Sequence, residues 1–75
     1  MQYRCWLEDY GEETSQNVKA RSLRGAAERF AEDLVSHDPV VLKLFPLIVI
    51  VEGQSKKVRV EVGYSLIPSF EGLIL

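Results

Sequence analysis

The amino-acid sequence predicts an α+β fold: a small β(β)αββ domain with a mostly antiparallel sheet and one helix packed on one face. Three observations predict it. Apolar and polar residues alternate at 2–8 and again at 57–62, as in half-buried strands. Between them one apolar stripe runs at helical spacing. The stretch 47–52 is apolar at almost every position and is led in by Pro46.

Each element follows from local chemistry. In the first strand Tyr3, Cys5 and Leu7 share one side, and Gln2, Arg4, Trp6 and Glu8 the other. Residues 9–17 make an acidic loop that turns at Gly11, and 18–21 is a candidate short second strand. Ser22 is placed to cap a helix over 23–36. Its stripe is Leu23, Ala26, Ala27, Phe30, Ala31, Leu34 and Val35, and Arg24, Glu28, Arg29, Glu32 and Asp33 lie opposite. Asp38-Pro39 closes it, because proline disfavours helical geometry in the residue before it. Pro46 cannot sit in mid-ladder, so the next strand starts near Leu47 and runs to Glu52. Residues 53–56 form a hairpin loop, and 57–62 a strand with Val58, Val60 and Val62 inward. Gly63 permits a bend, and 65–75 is an extended tail broken at Pro68. Tyr3, Cys5, Leu7, Val58, Val60 and Val62 are expected to meet the helical stripe.

Residues 1–75 suffice for a single domain. At this size the gain from apolar burial, on the order of 115 kcal/mol, nearly cancels an ordering cost of about 112 kcal/mol. A partner or a homodimer is therefore a natural source of extra stability. Nine basic against eleven acidic residues argue against a nucleic-acid binder, which needs a basic surface. Arg21, Arg24, Arg29, Lys56, Lys57 and Arg59 would be its residues. One cysteine, no signal-peptide pattern and no membrane-length apolar run point to a cytoplasmic protein with no membrane contact.

With one helix, the second sheet face should be polar. Instead Trp6, Ile48 and Ile50 fall on it, framed by Arg4, Glu8, Arg59 and Glu61. An aromatic anchor among aliphatics with a charged rim is the composition of a contact surface. Trp6, Ile48 and Ile50 are the candidate self-association residues. A heterologous partner, or the chain's own tail with Phe70 and Leu73, are the other possible covers.

No catalytic, metal or cofactor constellation can be assembled. His37, the single histidine, sits where a helix C-terminus favours a cation. Cys5 is on the inward parity and reads as a small core residue. Lys56, Lys57 and Arg59 read as solvated hairpin residues. The chain is thus expected not to be an enzyme. Glu8, Asp9, Glu12 and Glu13 are the densest acidic cluster, read as a solvated loop or as a negative patch for a basic partner.

Tyr3-Arg4-Cys5-Trp6, the loop Asp9-Tyr10-Gly11-Glu12-Glu13, the helix segment Ala26-Ala27-Glu28-Arg29-Phe30-Ala31-Glu32 and the closing Pro68-Ser69-Phe70 resemble a group of very short proteins of phages, prophages and bacterial genomes. The basic Arg24-Gly25 turn and the Leu73-Ile74-Leu75 end depart from that group. The resemblance implies a non-catalytic inhibitor acting in the host bacterial cytoplasm. The anti-CRISPR proteins are of this size and kind, and the implied partner is a component of a CRISPR-Cas effector. Glu8, Asp9, Glu12 and Glu13 would then meet a basic partner surface. A dimerising accessory module without inhibitory activity is the alternative.

Overall fold

A computed structural model describes residues 1–64 and 70–75. The expected break at Pro68 and the Pro68-Ser69 part of the closing motif lie outside the described residues. Five strands form one antiparallel sheet: β1 (Gln2–Leu7), β2 (Gln16–Lys19), β3 (Leu47–Glu52), β4 (Lys57–Tyr64) and β5 (Phe70–Ile74), in spatial order β2-β1-β3-β4-β5. The helix α1 (Leu23–His37) crosses one face. Short 3₁₀ turns at Glu12–Thr14 and Pro39–Leu44 join the elements. This is the predicted α+β architecture with a fifth strand added.

Local chemistry accounts for the boundaries. The Ser22 hydroxyl accepts from the Gly25 N–H at 2.9 Å and satisfies one orphan donor of α1. At the other end His37 Nδ1 donates to the Asp33 carbonyl at 2.9 Å. The Asp38 carboxylate then accepts from the Val40 N–H and starts the next turn. β3 begins at Leu47, immediately after Pro46.

Three expectations shift. The second strand lies at Gln16–Lys19, earlier than 18–21: its ladder runs from Gln16 opposite Cys5 to Lys19 opposite Gln2, Ala20 adds a last rung by donating to the Met1 carbonyl, and Ser22 is needed as the cap. Gly63 does not bend the chain: it lies within β4, opposite Glu71. The described end of the tail, Phe70–Ile74, pairs with β4 as an edge strand, which turns Phe70 to the helix side.

The core lies between α1 and the sheet. Tyr3, Cys5, Val49, Val51, Val60 and Val62 meet Ala26, Ala27, Phe30 and Ala31, with Leu7 and Val58 packed at the margin. The register explains the match, since Cys5 stands opposite Val51, Val49 opposite Val60, and Val51 opposite Val58. Small alanines let the helix approach closely. Phe45, Tyr64 and Phe70 close one end, with ring centroids 5.0 to 6.5 Å apart.

Candidate interaction surface

On the face away from α1, Trp6 pairs with Ile50, and Ile50 with Arg59. Trp6 and Ile50 do lie together there, but they are not exposed: Trp6 is 5% and Ile50 9% accessible. The expected open patch is corrected on this point. Among the described residues, a frame of charged side chains gathers over this part of the face. Arg59 reaches diagonally across β3 to Glu8, with Nε 2.6 Å from Oε2. Two strand spacings, about 9.6 Å, separate their backbones, so the pair must lie over the isoleucine row. Arg4 lies with its guanidinium 5.7 Å from the Trp6 ring centroid. It donates to Glu52 at 2.9 Å, to Glu12 at 3.1 Å and to Ser15 at 3.1 Å. Arg4 thus pins the acidic turn to the sheet. Ile48 stays half-buried, and Leu73 lies outward on the same face and is exposed.

The acidic cluster is divided by the same frame. Glu8 and Glu12 are held by Arg59 and Arg4. Among the described residues no ion pair involves Asp9 or Glu13, and both are exposed. Gly11 has φ 86°, and a Cβ there would stand 2.8 Å from a Glu13 carboxylate oxygen. Only glycine lets the turn bring Glu13 back over it.

Next to this frame lies a hollow that no single stretch of sequence announces. Leu7 and the Asp9-Tyr10 turn form one wall, and Leu44, Pro46, Leu47 and Ile48 the other, around a volume of about 230 Å³. Tyr10 and Leu44 stand exposed on its rim at 60% and 58%. The lining is apolar except for Asp9. A larger hollow of about 590 Å³ runs beside α1, but charged residues of both signs line it, including Arg21, Glu28, Arg29 and Asp33. Recognition sites are mostly apolar with few polar groups, which favours the smaller one.

Burial pushes the Cys5 thiol up to about 12, so the reactive thiolate is suppressed at neutral pH. Among the described residues no three His, Cys, Asp or Glu side chains come together as a metal site requires. No described helix is long and apolar enough to cross a membrane. No family model, curated protein or solved structure matches the chain.

Proposed function

We propose that this domain acts without catalysis, by occupying a surface on another protein, and that its contact centres on the hollow between Leu7, Tyr10, Leu44 and Ile48. The hollow carries this reading. At about 230 Å³ it is smaller than the roughly 300–1,000 Å³ of sites for drug-sized ligands. One apolar side chain of a partner fits it, with a basic neighbour facing Asp9. Binding energy between proteins concentrates at a few residues, with tyrosine among the enriched types, seated in well-packed pockets, and Tyr10 stands at the rim of this one.

The likeness of the Tyr3–Trp6, Asp9–Glu13 and Ala26–Glu32 segments to small phage proteins extends the proposal. On that ground the partner is a component of a CRISPR-Cas effector in the bacterial cytoplasm, and the domain is its inhibitor. This extension rests on those motifs alone. Asp9 and Glu13 are the acidic residues available to a basic channel, whereas Glu8 and Glu12 would first have to leave their arginines. Self-association is retained in the proposal through Ile48, since Trp6 and Ile50 are already covered.

The test is co-purification with a panel of effector complexes, followed by affinity measurement. Replacing Tyr10 and Leu44 together (Tyr10→Ala, Leu44→Ser) should weaken capture at least about tenfold, or 1.4 kcal/mol, with the fold intact by circular dichroism. Undiminished capture by that variant rules out the hollow as the contact. If no effector is captured by the wild type, the inhibitor extension fails.

A further inference from the structure

We infer that Glu28 is an autoinhibitory plug on the free edge of β5, and that the contact it prevents is strand addition by a second copy of this chain. The inference is independent of the hollow and of any heterologous partner.

It begins from the register of the last ladder. Val60 stands opposite Ile74, Val62 opposite Gly72, and Tyr64 opposite Phe70. Leu75 N–H donates to the Arg59 carbonyl at 2.9 Å, which makes 59 and 75 a hydrogen-bonded pair. Antiparallel pairs alternate, so Glu71 and Leu73 point their backbone groups at β4 while Phe70, Gly72 and Ile74 point theirs away from it. An edge of this kind is a template for another strand.

The middle donor of that edge is occupied. Gly72 N–H donates to Glu28 Oε2 at 2.6 Å, across 44 residues of chain. The same oxygen accepts from Arg24 Nε at 3.2 Å, which holds the carboxylate in place. The helix is brought this close by the glycine: a Cβ on Gly72 would stand 3.2 Å from Arg24 Cγ and 3.4 Å from Glu28 Cγ. A side chain from α1 therefore takes the position an incoming strand's carbonyl would need.

The edge suits a copy of itself. Its outward groups at 70, 72 and 74 are symmetric about Gly72, so two copies can pair antiparallel about a two-fold axis, 72 against 72 and 70 against 74. Leu73 of each would then lie diagonal to Leu73 of the other, within reach of long side chains. Leu73, Ile74 and Leu75 are all exposed, which is the apolar surface such pairing would cover. With the plug in place, the central pair cannot form.

Sedimentation velocity over a concentration series tests this. Glu28→Ala is expected to raise the weight-average mass above that of the wild type, toward twice the 8.5 kDa chain. Adding Ile74→Pro should return it to the wild-type value, because that proline removes only a donor facing away from β4. A folded Glu28→Ala protein with wild-type mass overturns the proposal, as does an increase that Ile74→Pro leaves unchanged. Amide exchange in the wild type covers the case in which Glu28→Ala does not fold. The Gly72 N–H should exchange at least about tenfold more slowly than that of Ile74, and equal rates overturn the plug.

Discussion

At the scale of single residues, Arg4 stands over an outward-facing tryptophan that is 5% accessible. Its guanidinium ties Glu12, Ser15 and Glu52 together beside the Trp6 ring. Each exposed pair contributes little by itself, and Arg4 is 43% accessible. The combined packing, charge and ring contact is worth about 1 kcal/mol. Trp6 is the single tryptophan, so its emission reports this one site. Arg4→Ala should shift that emission to longer wavelength and raise acrylamide quenching, with a stability loss of about 1 kcal/mol. Unchanged emission would show that the turn covers Trp6 without the arginine. The parity of Trp6, Ile48 and Ile50 was legible in the alternation of 2–8 and 47–52. Their cover was not, because it depends on side chains 8 and 48 residues from Arg4 and 51 residues from Arg59.

At the scale of elements, the sharpest boundaries in the sequence are those with a backbone cause. Pro46 fixes the start of β3, and Ser22 fixes the start of α1 through a bond to Gly25. β5 had no such mark. Glu71-Gly72 interrupts its apolar run, and its pairing is decided by the register of β4 and by contact with α1. The hollow was illegible for a similar reason, since Tyr10 and Leu44 come from turns far apart in the chain. Gly72 is where helix and edge strand meet. A Cβ there would lie 3.0 Å from Val60 Cγ1, and Val60 is wholly buried and cannot retreat. Gly72→Ala should therefore cost about 1–3 kcal/mol, seen as a lower urea midpoint with an unchanged slope. A midpoint equal to wild type would mean that both Val60 and α1 can give way at no cost.

At the scale of the whole molecule, one buried thiol makes stability depend on alkaline pH. Unfolded Cys5 loses its proton near 9.0, whereas the folded thiol keeps it up to about 12. Between those values the unfolded state binds fewer protons, so stability present in full below about pH 9 is lost as pH rises. From pH 9 to about 10.5 the urea midpoint of the wild type should fall more steeply than that of Cys5→Ala. Parallel slopes would show that the thiol ionises as readily folded as unfolded.

The place of β1 has a consequence for how the chain reaches this state. Its neighbours are β2 on one side and β3 on the other, and the helix is threaded between those two in sequence. A nascent chain can close the hairpin of its first two strands early, but that hairpin has an open flank until residues 47–52 have been made. Isolated two-stranded hairpins are marginal in water. The sheet is complete only when the third strand joins both halves, and that pairing of 47–52 beside 2–7 closes the longest loop between neighbouring strands.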